Sequence, residues 1–262
     1  MVMFFSSVLG LKKLCFSYAV VNPYGSNYYE SLAWLRRCRG VAREVIVDTA
    51  VHKLFAELNL VDYPAWYLHR YLRFVRDVAH MVGRRATVWY VIPDIPVDYP
   101  GRESLYPYNV ERTAQYIEMF LDRYVDALRP ARPIAVVQGR KDDIRSVLDT
   151  YAKYEHLYSQ FEVVGLGPVC QTRRWRLLAK LIVAFDRAVA RPFHSFGVHI
   201  SAVEKALGWG PRAWRSFDTT AYHWSGKRRV ANPREREEAF VRYIEKLRGI
   251  GVETPAYTRA GG

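Results

Sequence analysis

The chain has 262 residues, half of them apolar, enough to bury a full core and to make one barrel-sized domain or two small ones. Its 39 Lys and Arg against 26 Asp and Glu leave a net charge of +13, a cationic surface that draws polyanions, and nucleic acid is the commonest large one. Cys15, Cys38 and Cys170 are far apart and show no Cys-x-x-Cys or Cys/His ligand spacing, which argues against a zinc site and a disulfide framework and suits a reducing cytoplasm.

Taken in chain order, residues 1–11 are apolar, but Lys12 and Lys13 follow the run instead of preceding it. It is also shorter than the roughly 20 apolar residues of a spanning helix, so it reads as a first strand at 2–9, not as a signal peptide or membrane segment. A second strand at 13–21 lies so close that the two are expected to form a hairpin or an irregular opening. Helical spacing then alternates with apolar strands: helix 31–39, strand 44–48, helix 65–81, strand 87–93, helix 109–128 and strand 134–138. Helix 142–157, strand 162–166, helix 173–189, strand 192–198, helix 200–207 and strand 215–218 complete the series. A last helix at 233–247 opens with Asn232 as N-cap and Pro233 at its first position. Residues 253–262 carry Pro and Gly-Gly and are expected to be a loose tail.

Strands apolar on both faces belong to a covered parallel sheet. The expected architecture is α/β, a single (β/α)8 barrel over residues 1–252, irregular at its first two strands and without an appended zinc or RNA-binding domain. A doubly wound sheet would carry a Gly-rich phosphate turn after its first strand, and none is there.

Five of the strand-like runs end in a polar or glycine residue: Val-Ile-Val-Asp-Thr (45–49), Val-Ile-Pro-Asp (91–94), Val-Val-Gln-Gly (136–139), Val-Val-Gly-Leu-Gly (163–167) and Ser-Phe-Asp-Thr-Thr (216–220). A barrel gathers such strand ends at one mouth. Asp218 there can act as a nucleophile and Asp48 as its general acid/base, an arrangement that also serves glycoside cleavage. A strand-end aspartate equally serves as a helix N-cap. Asp94, stiffened between Pro93 and Pro96, and Gln138 offer the acceptors and donor that suit the edge of a guanine-like base. Gly165 and Gly167 allow close backbone approach, as any βα turn does. His194 reads as a hydrogen-bonded barrel histidine or a base, and Phe196, next to Gly197, as core or as one wall of a flat pocket. His52, His199 and His223 make no metal-like spacing, so no metal is expected. Arg173, Arg174 and Arg176 flank Trp175, and Lys227, Arg228 and Arg229 follow Trp224. Such clusters either bind phosphates and stack bases or form a solvated helix face.

In this order and spacing, over residues 45–222, the pieces resemble the tRNA-guanine transglycosylase superfamily. Val-Asp-Thr-Ala-Val-His-Lys-Leu-Phe (47–55) is similar to that family's Asp-Ser-Gly-Gly-Phe-Gln-Val-Phe segment, and 93–96 to its second aspartate motif. Val-Val-Gln-Gly matches its Val-Gln-Gly strand end, Val-Gly-Leu-Gly (164–167) its Gly-Gly-Leu turn, and 193–198 its His-Leu-Phe-Gly-Val strand. Residues 216–222 resemble the Asp-Ser-Ala-Ser-Tyr stretch that carries the nucleophile. The resemblance implies Asp218 as nucleophile and Asp48 as acid/base. It implies Asp94, Gln138, Gly139 and the backbone of Gly165, Leu166 and Gly167 as base readers, with His52 in the stacking position. Its implied activity is exchange of guanine for a free 7-deazaguanine in a polynucleotide, with no cofactor. The family's Cys/Cys/Cys/His zinc cluster is absent, and Ala50 and Val51 replace its Gly-Gly. These departures, with Gly-Leu-Gly-Pro-Val-Cys-Gln-Thr-Arg-Arg (165–174) and Asp-Thr-Thr-Ala-Tyr (218–222), look like the DpdA-like branch that modifies DNA. The implied partner is therefore DNA before tRNA, with no membrane association and a homodimer left open. A base-excising N-glycosidase and a non-catalytic nucleic-acid-binding barrel are the alternatives.

Overall fold

The computed structural model describes residues 2–11, 13–97, 103–169, 172, 174–220, 222, 224–225, 228–230 and 232–259. Eight parallel strands close into a barrel: β1 (Met3–Ser7), β3 (Tyr18–Val21), β4 (Glu44–Val47), β5 (Thr87–Val91), β6 (Arg132–Val137), β7 (Val163–Leu166), β8 (Phe193–Ser195) and β9 (Trp214–Thr219). Closure is between β1 and β9, with Phe5 opposite Asp218. All eight expected strands are barrel staves.

Of the two expected openings, a hairpin or an irregular start, the hairpin is not formed. β1 and β3 run parallel, Ser6 beside Ala19, because the chain between them crosses back through β2 (Leu14–Phe16). β2 pairs antiparallel with β12 (Tyr257–Arg259), and Glu253 bonds through its backbone to Val2 and Phe4. Residues 253–259 are thus tied to the barrel instead of forming a loose tail. A disulfide links Cys15 on β2 to Cys38 at the end of α1 (Asn27–Cys38), against the expectation from cysteine spacing. Their sequence separation of 23 hid a contact that only the packing of α1 on β2 creates. Cys170 lies outside the described residues.

Two layers of core follow from the strand alternation. Phe5, Val20, Ile46, Val91, Ile134, Val136 and Val163 fill the barrel interior. Their neighbours Phe4, Val21, Val45, Val47, Val137, Val164 and Leu166 face outward onto the helices. Those helices are α1, α3 (Ala65–Val82), α4 (Tyr106–Arg123), α5 (Ile144–Lys153) with the short α6 (Glu155–Tyr158), α7 (Trp175–Ala188), α8 (Ile200–Leu207) and α9 (Pro233–Gly249). Among the α-helices of the described residues, sequence periodicity missed only α2 (Val51–Leu58), an extra helix between β4 and α3. Among the described residues, no helix is long and apolar enough to cross a membrane.

Candidate active site

Parallel strands put every strand's C-terminal end on the same face, and the pleat decides which side chain there points inward. Two residues beyond the last apolar interior position come Ser7 (after Phe5), Asn22 (after Val20), Asp48 (after Ile46) and Gln138 (after Val136). Phe196 and Asp218 hold the equivalent places on the β8 and β9 side. All line one cavity of about 660 Å³, joined by Asp94, Gly167, Gly197 and His52. The site is the top layer of the barrel interior, made polar.

Asp218 and Asp48 face this cavity without a Lys or Arg partner among the described residues. Burial pushes the Asp218 carboxyl up to about 7, and the neighbouring Asp48 charge pushes the same way. The Gly197 N–H, donating to Asp218 Oδ1 at 2.6 Å, opposes the shift. Gly197 can aim that N–H because its φ is +73°, in the left-handed region. Asp48 is raised by burial as well, against the backbone N–H groups of Ala50 and Thr49 and the nearby His52. Ala50, not Asp48, holds the N-cap position of α2.

His194 is wholly buried, its Nδ1 2.9 Å from Ser216 Oγ and its Nε2 3.9 Å from Asp218 Oδ1. Burial, with Arg215 adding to it, drives its pKa down to about 3, so it is neutral. It packs edge-on to Phe196 and Phe5. The barrel-histidine reading therefore describes it.

Beyond the ends of β5 and β6, Gln138 Nε2 donates to Asp94 Oδ2 at 2.5 Å. Gln138 Oε1 is buried and has no hydrogen-bond partner among the described residues. A buried acceptor left without a partner is costly. Gly167 makes room for this amide, since a Cβ there would lie 2.7 Å from Gln138 Nε2. Gly165 does the same for the Phe196 ring, at 2.8 Å.

Sequence reasoning missed the support. Tyr67 on α3 donates to Thr49 O, Tyr71 to Val91 O with Val47 O 3.1 Å from the same hydroxyl, and Tyr63, just before α3, to Asp94 O. These buried hydroxyls, at a helical spacing of four, clamp the strand ends that carry Asp48 and Asp94. On α4, Thr113 Oγ1 accepts from Ile95 N and Asn109 Nδ2 donates to Pro96 O, fixing the proline segment. Ser7, Asn22 and Arg236 of α9 also line the cavity unforeseen. The signal for Asn22 was present in Tyr-Ala-Val-Val-Asn, another apolar run ending in a polar residue, but a hairpin reading of the first strands concealed it.

Three expected base readers sit in the wall. Gly139 packs against Val147, Gly165 is covered by Phe196, and Leu166 faces the helices. Arg174 and Arg176, at the start of α7, are exposed on the mouth face, with the Arg176 guanidinium 5.0 Å from the Trp175 ring centroid. Arg228 and Arg229 form β11, paired with β10 (Trp224–Ser225) in a ribbon that follows β9. Arg173 and Lys227 lie outside the described residues. The chain matches no protein family model and no curated protein.

Proposed function

We propose that the protein exchanges guanine for a 7-deazaguanine base in a polynucleotide, DNA before tRNA, through a covalent glycosyl intermediate on Asp218. The observation that carries this reading is a pair of carboxylates, Asp48 and Asp218, without a Lys or Arg partner among the described residues and facing one cavity with the hydrogen-bonded Asp94–Gln138 pair. The sequence resemblance and the +13 charge support the same reading.

In the first half-reaction the ionised Asp218 attacks C1′. The C1′–N9 bond breaks, a C1′–Oδ ester forms, and Asp48 in its acid form, which burial favours, gives its proton to guanine N9. In the second half the Asp48 carboxylate takes the N9 proton of the incoming deazaguanine, whose nitrogen displaces Asp218. One glycosidic bond replaces another, so no redox group or nucleotide energy source enters. Asp94 and Gln138 accept from and donate to the base edge, with Phe196 and His52 bordering its plane.

The test is incorporation of labelled guanine into duplex DNA, single-stranded DNA and tRNA, beside Asp218→Asn and Asp48→Asn. Label that depends on Asp218 and Asp48 supports exchange, and the polymer labelled identifies the substrate. Guanine release without incorporation assigns a glycosidase instead. Full activity in Asp218→Asn sinks the mechanism.

A further inference from the structure

Among the described residues, the mouth of the barrel carries most of the exposed aromatic side chains. Among the described residues, the exposed aromatic side chains are Tyr29, Trp66, Tyr108, Trp175 and Trp209. Singly, such residues need no explanation. Their placement does.

Tyr29 lies in the first turn of α1, Trp66 in that of α3, Tyr108 in that of α4, and Trp175 opens α7. Each of these helices starts on the face where the strands end, so four of the five stand around the cavity. Trp209, past the end of α8, is on the opposite face. Tyr29 is 72% and Trp66 56% exposed, so neither is core left slightly open. Cations are interleaved with this rim. Arg176 lies over Trp175, Arg70 over Tyr28, whose ring meets that of Tyr29, and Arg140 over Tyr106, two residues before Tyr108.

We infer that this rim is a stacking platform for single-stranded polynucleotide, and that the substrate reaches the cavity unpaired. Free aromatic faces alternating with cations suit a strand whose bases are splayed, because every base has a π-face and every linkage a phosphate. A duplex keeps its base faces inside its own stack and offers such a rim only phosphates. A protein partner would also cover apolar rim residues, but the chain's +13 charge complements a polyanion. The inference rests on the reading of the site as one that acts on a polynucleotide.

The experiment is equilibrium binding of a fluorescent guanine-containing single-stranded DNA and of its duplex to the full chain, across a salt series. The variants are Trp66→Ala, Trp175→Ala and, as the control of like chemistry on the wrong face, Trp209→Ala, with Trp66→Phe as rescue. Single strand should bind at least about tenfold tighter than duplex, and each rim alanine should weaken it roughly 5- to 100-fold with the salt slope unchanged. Trp66→Phe should recover most of the loss, and Trp209→Ala should bind as the parent does. Duplex preference, parental binding by both rim variants, or an equal loss in Trp209→Ala overturns the inference. So does self-association abolished by Trp66→Ala, which would assign the rim to a second copy of the chain. These outcomes leave base exchange standing, since incorporation of label is read separately. Absence of salt-sensitive binding to any polynucleotide would remove the proposed function and this inference together.

Discussion

The two ends of the barrel treat buried charge in opposite ways. At the bottom, Glu44 accepts from Arg215 at 2.6 Å and from Trp89 Nε1 at 2.8 Å, while Arg215 and Arg132 lie over the Trp89 ring. Nearby, Asp186 accepts from the backbone N–H groups of Arg212, Ala213 and Trp214 where β9 begins. Each of these charges is matched, as a structural end requires. At the mouth, Asp48 and Asp218 face each other's field with no Lys or Arg partner among the described residues, and Gln138 Oε1 has no hydrogen-bond partner among them either. Burial without compensation lowers stability, and functional sites are where such groups concentrate. The difference marks one end as closure and the other as the candidate site.

That contrast breaks most directly at Asp218. Asp218→Asn should lower exchange by about 10⁴-fold or more and remove the covalent adduct, on the scale of deleting a nucleophile. The same variant should be more stable at alkaline pH. A carboxyl raised to about 7 in the folded state holds a proton that the unfolded chain gives up near 3.8. Its stabilising contribution is complete below about pH 4 and is lost as pH rises through about 7. Asn escapes that loss, so denaturant titrations at pH 8 should show a gain of about 2 to 4 kcal/mol that vanishes near pH 4. Parental exchange should rise with pH through the same region as Asp218 ionises.

Gly167→Ala sharpens the comparison at the base-reading wall. Its Cβ would collide with Gln138 Nε2 and Val136 Cγ1, moving the amide off Asp94. Exchange kinetics should show kcat/KM for the free base falling about 10- to 100-fold, from one or two misplaced hydrogen bonds, while the circular dichroism spectrum is unchanged. A parental kcat/KM would show that Gln138 does not read the base.

At the bottom the expected effects reverse. Arg215→Met leaves Glu44 without its cation and should cost about 2 kcal/mol in urea unfolding. Exchange should stay within a factor of about 3 of the parent, because nothing at the mouth contacts that pair directly. Equal loss of activity and stability would mean that the two ends are not separate. Ala50→Gly should have the smallest effect. Ala50 has φ +54°, where a side chain costs about 1 kcal/mol, and the added freedom of glycine in the unfolded chain offsets much of the gain. A change in Tm of no more than a few degrees is expected.

Much of this was legible from local pattern. Buried parallel strands are apolar on both faces, so 44–48, 134–138 and 162–166 announced themselves and their terminal residues. Asp48, Asp94, Gln138 and Asp218 were found because a polar residue ending an apolar run stands out. By itself, then, the sequence determined the eight strands, nearly all the helices and four of the cavity's polar side chains, since those follow from short-range alternation. The parallel register of β1 and β3, the Cys15–Cys38 link, the tyrosine clamps from α3 and the burial that raises Asp218 were decided only by the tertiary structure. Those depend on which distant segments meet when the barrel closes, and no local spacing records a contact made across the fold.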